Sequence, residues 1–545
     1  MEDRVWLQHY PAGVPADIDV DACGSVVDLV ERAFDKYAAL PALASGDTTL
    51  SFRDLDRHSR AIARWLLSKQ DLQAGSRIGV MLPNVLQYPI AVLGILRASM
   101  VIVNINPMYT ARELSNQLRD AGCAALVIQD SGLPMVGAIG EDSSLAHLLI
   151  AGPSDLTAGG PDEWSVGARI GGAEVTPFQA AVAAGASSAT KLPRPAAQDL
   201  AVLQYTGGTT GVPKAAMLTH RNLVANVEQK SAWFQGEIKP GEEVIVTALP
   251  LYHIFAFTTN FLFGLRWGAL DVLVANPRDL PGLVQTMTRH RWTIFAGVNT
   301  LYNGLLHTPG FADLDFSSVK ICTAGGTSTQ RAVAQRWKQV TGHDISEGYG
   351  MSEASPTIST NPLNRGFSGT IGMPLPSTWV QVRGANDLPV DAGQPGEICV
   401  RGPQVTQGYW QRPDETALAF SPDGWLRTGD IGTMDKRGQI TLTDRKKDMV
   451  LVSGFNVYPN EVENVLAEHP DVFESAVVGV PDAETGEAVK AFVVRRGTTV
   501  SSEALRTHCR GHLAAYKVPR HVVFVDALPK SPVGKILRRE LRNLP

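Results

Sequence analysis

The sequence predicts an α/β fold: a large N-terminal domain of layered α/β subdomains followed by a small α+β C-terminal domain. Three observations predict it. The chain has 545 residues, too many for one ordinary hydrophobic core. Short apolar runs alternate with segments of helical period through the first few hundred residues, as layered sheets and helices require. After about Gly393 the pattern changes to short strands with turns, and the stretch from Lys446 onward has enough strands and helices for a separate unit.

The elements follow in order. Leu55, Ile62, Trp65 and Leu66 recur at helical spacing between Leu55 and Leu67, and a short apolar strand follows over 77–82. Strand-like runs at 124–129, 199–205, 244–250 and 271–276 are separated by helical stretches. From about Gly132 to Ala197 the composition turns to Ala, Gly, Ser and Pro without a clear period, which reads as a loose connection carrying no chemistry. Strands are expected at 396–402 and 438–445, then at 449–454, 475–480, 490–495 and 521–525, with helices over 460–469 and 502–513.

Two uncharged runs, 78–96 and 244–265, are candidates for membrane spans. Pro83, Asn84 and Pro89 break the first; Pro250, His253, Thr258, Thr259 and Asn260 put groups costly in lipid into the second, so each reads as a buried strand and helix. The N-terminus lacks a secretory signal, which makes the cytoplasm the expected location. Cys23, Cys123, Cys322, Cys399 and Cys509 lie far apart with no CxxC pair, so neither a disulfide framework nor a zinc site is suggested. The net charge of −5 is spread without a block of one sign, which argues against a nucleic-acid partner.

The strongest local signal runs from Tyr205 to Lys214, after a strand and before the helix-like LTHRNLVANVEQ. Its glycines allow backbone amides to converge on phosphate oxygens, its threonines add donors, and Lys214 supplies charge. It is not a Walker A loop, because Val212 and Pro213 stand between the last glycine and the lysine.

Further segments follow: Gly325-Gly326-Thr327, Glu347-Gly348-Tyr349-Gly350-Met351-Ser352-Glu353, Thr428-Gly429-Asp430, Asp444-Arg445-Lys446-Lys447-Asp448, and Pro529 through Lys535. Together with the loop they resemble the successive core motifs of the adenylate-forming superfamily: acyl-CoA synthetases, luciferases and peptide-synthetase adenylation domains. The runs at 250–257, 276–284 and 444–463 look most like the bacterial long-chain fatty-acyl-CoA synthetases.

The resemblance implies ATP, Mg2+ and coenzyme A, a fatty acid as acyl substrate, and a mobile small domain. It divides the chain into 1–443, a hinge at 444–447 with Lys447 as the matching hinge residue, and 448–545. Thr206, Gly207, Gly208, Thr209, Thr210, Gly211 and Lys214 would hold the phosphates. Gly325, Gly326, Thr327, Glu347, Gly348, Tyr349, Gly350, Met351 and Ser352 would surround the nucleotide, with adenine on Tyr349. Asp430 would accept the ribose hydroxyls and Arg445 brace sugar or phosphate. Glu353 and Thr209 match the metal-linked pair and count among the catalytic residues with Lys535 and His253. His253, Phe257 and Gly325 would line the acyl site, and Ser453, Gly454 and Phe455 the pantetheine passage. Phe257 departs from the tryptophan gate of some relatives, and Ala215 from a common glycine. Arg538, Arg539 and Arg542 read as a solvated basic tail.

The implied reaction joins a long-chain fatty acid to coenzyme A through an acyl-adenylate. A medium-chain or aryl acid, and a non-catalytic nucleotide- or lipid-binding protein, remain alternatives. An amino-acid substrate is disfavoured, since His253-Ile254-Phe255 lacks the aspartate that would hold its amine. Peripheral contact with the inner membrane face and a homodimer stay open.

Overall fold

The structure, a computed structural model, describes residues 4–140, 144–152, 155–156, 166–206, 213–445, 447–497, 500–531, 534–542 and 544. Two large sheets build the N-terminal part. One has nine strands in the order Met373–Pro374, Thr357–Thr360, Ile345–Gly350, Ile321–Ala324, Ile294–Gly297, Val244–Thr247, Leu270–Leu273, Pro41–Ser45 and Thr48–Ser51. The other has eight: Lys214–Thr219, Leu200–Thr206, Val101–Asn104, Arg77–Met81, Cys123–Gln129, His147–Ala151, Ala173–Pro177 and Arg169–Ile170. Their central strands run parallel and are buried on both faces, which is why they read as unbroken apolar runs.

The helix Phe52–Leu67 begins where Ser51 and Asp54 form a reciprocal cap, and it buries Leu55, Ile62, Trp65 and Leu66 as the spacing predicts. The stretch expected to be loose is ordered over its described residues, a correction. It holds the helices Leu133–Ile139 and Phe178–Ala186 and three of the strands above. At Gly185 the small residue is required by close approach: a Cβ there would lie 1.8 Å from the carbonyl of Ala61. Both candidate spans resolve into strand and helix, and among the described residues no helix is long and apolar enough to cross a membrane.

A third, antiparallel sheet is formed by Trp379–Arg383, Gly396–Arg401, Leu426–Met434 and Ile440–Arg445. A fourth begins at Val450 and comprises Phe455–Val457, Val450–Val452, Gly486–Arg495 and Val472–Asp482, with His521–Phe524 parallel to Gly486–Arg495. Pro459–Ala467 and Ser502–Arg510 pack on it around a core of their own that includes Val462, Leu466, Val489 and Leu505. This small unit rests on the large one through Thr300 Oγ1, which donates to the carbonyl of Gly534 at 3.2 Å, and Asn303 Nδ2, which donates to that of Phe473 at 3.1 Å.

Candidate active site

Where the three N-terminal sheets and the small unit meet lies a cavity of about 1740 Å3. The strand Ile345–Gly350 supplies one wall. Its end must be glycine: a Cβ on Gly350 would sit 2.0 Å from the Pro356 carbonyl. The buried Tyr349 hydroxyl donates to Asp430 Oδ2 at 2.6 Å, and Arg445 Nε lies 3.2 Å from Asp430 Oδ1. Asp430 and Arg445 are cross-strand partners in the third sheet, so the register of that pairing puts carboxylate and guanidinium together. Among the described residues the buried Thr327 hydroxyl and Glu347 Oε2 have no hydrogen-bond partner, leaving a donor and an acceptor available. Burial pushes the Glu347 carboxyl up to about 7.

Lys535 enters this cavity from the small unit. Gly326, at φ 78°, is the residue it lies against: a Cβ there would be 3.2 Å from Lys535 Cε. Enclosure, and secondarily Arg445, push the ammonium down to about 8, while Asp430 and Glu353 pull the other way. His253, Phe255, Gly326 and Lys535 also border a small adjoining void of about 10 Å3. His253 caps the helical run that follows it, its Nδ1 accepting from the backbone N–H of Phe255 at 3.2 Å. Burial and Lys535 together hold its ring down at about 3, so it is neutral at physiological pH.

Glu353 lines the cavity, as do Thr206 and Lys214, which flank the loop of the hairpin formed by Leu200–Thr206 and Lys214–Thr219. Tyr409 donates its hydroxyl to Glu353 Oε1 at 2.8 Å, and Glu415 pairs with Lys214. Neither residue was anticipated, since an aromatic and a carboxylate in a turn-rich stretch carry no sequence signal. The loop joins two antiparallel strands, and the helix His220–Phe234 starts only after the second. This corrects the expected strand–loop–helix order: the strand Lys214–Thr219 stands between the loop and that helix. Gly207, Gly208, Thr209, Thr210 and Gly211 lie outside the described residues, as does Lys446. For a divalent cation, among the described residues no group of three or more His, Cys, Asp or Glu converges. Glu353 fits as a single hard carboxylate ligand beside phosphates.

Other expectations move. Phe257 is fully buried against Phe261 and is not among the residues that border the cavity, whereas Phe255 is. The turn Ser453-Gly454-Phe455 has φ of 50° and 84° at its first two residues, is exposed, and does not border the cavity either. Lys447 does border it, two residues beyond the end of the third sheet. Arg538 is not part of a solvated tail: its Nη2 donates to Glu463 Oε1 at 2.8 Å, while Arg542, exposed as expected, donates from Nη2 to Asp448 Oδ1 at 2.9 Å. Burial raises the Glu463 and Asp444 carboxyls, and the Arg538 charge works against the shift at both. Arg539 is exposed.

The model of the AMP-binding enzyme matches residues 30–410, and that of its C-terminal domain matches residues 461–535. The chain belongs to the AMP-binding enzyme family. Among curated members, the long-chain-fatty-acid–CoA ligase of Salmonella typhimurium is 48% identical, over 99% of this chain and 98% of its own. Among solved structures of the family, an anthranilate CoA ligase in complex with anthranoyl-AMP superposes with a TM-score of 0.85 at 26% identity, covering 97% of each chain. ATP-bound MatB from Rhodopseudomonas palustris gives 0.83 at 29% identity, over 95% of this chain and 98% of its own.

Proposed function

We propose that this AMP-binding enzyme is a long-chain fatty acid–CoA ligase, converting ATP, a fatty acid and coenzyme A to acyl-CoA, AMP and diphosphate through an acyl-adenylate. The observation that carries the reading is the placement of Lys535, from one structural unit, against Gly326 and His253 in a cavity whose other walls hold Tyr349, Asp430 and Arg445 from another.

Adenylation brings two anions together, so its barrier is chiefly electrostatic and positional. In this reading adenine lies along Tyr349, which Asp430 holds by its hydroxyl, and the ribose is taken by Asp430. Lys535 spans the acid's carboxylate and the α-phosphate, where negative charge gathers as the bond to diphosphate lengthens. Neutral His253 sits beside the carboxylate and adds no competing charge. Lys214 meets the departing phosphates with the loop residues 207–211. Glu353, held by Tyr409, and Thr209 would hold Mg2+, which when bound neutralises phosphate charge. For thiol attack the small unit turns about Lys447, withdrawing Lys535 and bringing Ser453-Gly454-Phe455 to the passage. β-Oxidation as the destination of the product, peripheral membrane contact and a homodimer belong to the same reading. Sedimentation with anionic liposomes at low salt checks the membrane contact.

Diphosphate release with ATP and oleate, without coenzyme A, tests the proposal. A single-turnover burst is expected, with thioester appearing only when the thiol is added. Lys535→Ala is expected to lower the burst rate by at least ~100-fold while still thiolysing preformed oleoyl-adenylate. No burst with any acid, or an unimpaired Lys535→Ala, would overturn it. A series of acids from aryl to long-chain settles the acyl preference.

A further inference from the structure

Lys230 is buried, at 8% exposure, yet it borders the cavity together with Phe234, Thr259 and Leu375. It stands one turn before the end of the helix His220–Phe234, facing the helical run that starts at His253. Over Phe257–Leu262 that run widens to a π-turn, a distortion that recurs at functional sites. Lys230 Nζ donates to the carbonyl of Thr259, within the π-turn, at 3.1 Å. Two aromatic rings flank it, with the Phe263 ring centroid at 4.9 Å and that of Phe234 at 5.8 Å.

An ammonium has three donors, and among the described residues one is used. Among the described residues no carboxylate pairs with Lys230, and burial alone pushes it down to about 7. Two buried arginines are answered by carboxylates, Arg97 by Glu31 and Asp56 and Arg383 by Asp423, whereas buried Lys490, like Lys230, donates to a backbone carbonyl. A methylene chain laid against Lys230 would remove what solvation it has and offer nothing in return. An oxygen atom would take up the idle donors. Thr259 is six residues beyond His253, on the order of 9 Å along a helical axis, so the lysine lies away from the reacting carboxylate.

We propose that Lys230 anchors an oxygen atom on the body of the acyl substrate, so that this enzyme prefers acids bearing a hydroxyl, keto or second carboxylate group distal to the carboxyl that is activated. The inference rests on the ligase reading for its first carboxylate. It assigns Lys230 to specificity and not to the reacting atoms.

Binding and turnover are measured separately with the full-length enzyme. The acids are plain saturated acids and their ω-hydroxy, ω-oxo and ω-carboxy counterparts over a range of chain lengths. The wild type is expected to bind at least one oxygenated acid about tenfold more tightly than its plain partner, the size of a hydrogen bond to a charged group. Lys230→Met is expected to erase that ratio, tightening plain acids and weakening oxygenated ones, while Lys230→Arg restores part of it. The hydroxyl and keto arms against the carboxylate arm tell which oxygen is taken. A wild type that binds every plain acid as well as its oxygenated partners overturns the inference even if the methionine variant does not fold. So does a ratio that Lys230→Met leaves unchanged. Binding preference without turnover of any acid would instead refute the ligase reading and leave the anchor standing.

Discussion

If Lys535 carries the charge that joins the two anions, the first half-reaction must lose rate as this lysine loses its proton. Its ordinary value of 10.5 is brought down to about 8, first by burial and then by Arg445. Because the protonated form is the active one, activity is present below that value and lost above it. One pH unit above the midpoint about a tenth of the molecules keep the charge, so kcat/KM for diphosphate release should fall about tenfold per unit beyond it. The assay is diphosphate release at limiting acid and ATP, from pH 6 to 10, in which kcat/KM reports the free enzyme. Three further profiles sharpen it. Lys535→Arg keeps its charge throughout, so the limb should vanish while the rate drops. Arg445→Met removes a positive neighbour, so the limb should move upward. Under saturating substrates the kcat limb should lie higher than that of kcat/KM, since bound anions favour the ammonium. A limb near pH 8 that survives Lys535→Arg unchanged would refute the argument. His253, held near 3, should contribute no acidic limb above pH 5.

Tyr409→Phe removes the hydroxyl that donates to Glu353, a charge-assisted bond worth about 1.5–3 kcal/mol. The Mg2+ concentration for half-maximal activity should rise about tenfold or more, as a metal titration at fixed ATP would show. Arg538→Met leaves Glu463 buried without its cation, a loss of about 3–5 kcal/mol. Hydrogen exchange should quicken in the small unit and not in the large one, and a uniform change would contradict the assignment. Phe257→Ala should lower the melting temperature through a cavity costing about 3–5 kcal/mol. Phe255→Ala should instead change KM for the acid more than it changes stability.

Strands were legible wherever β-branched and apolar residues formed runs buried on both faces, and Ile321–Ala324 or Val244–Thr247 need no more than that. The Ala- and Gly-rich stretch was not, because helices that pack through small residues leave no hydrophobic period to read; Gly185 against Ala61 is the clearest case. The ordered motifs pointed to Tyr349, Asp430, Arg445, Glu353 and Lys535, and all five border one cavity. Direction was harder. Phe255 and Phe257 are two residues apart on a helical run, about 200° around its axis, so one borders the cavity and the other the core, and spacing alone could not say which. Partners distant in sequence were hidden as well. Arg538 looked solvated because Glu463 precedes it by 75 residues. Lys230 gave no signal because a lysine among Glu, Gln and Ser looks like an exposed helix face until the fold turns it inward.

Arg445 is the last residue of the third sheet and lies opposite Asp430, while Lys447 follows two positions later. The proposed swing of the small unit about Lys447 would therefore have its fulcrum within about 7 Å of chain of the group assigned to the sugar in that reading. Near a fulcrum displacement is small, and at the far rim it is large. In the proposed reaction the nucleotide end of the mixed anhydride would stay clamped while the opposite edge sweeps round to deliver the sulfur, so that one docking event would serve both chemistries.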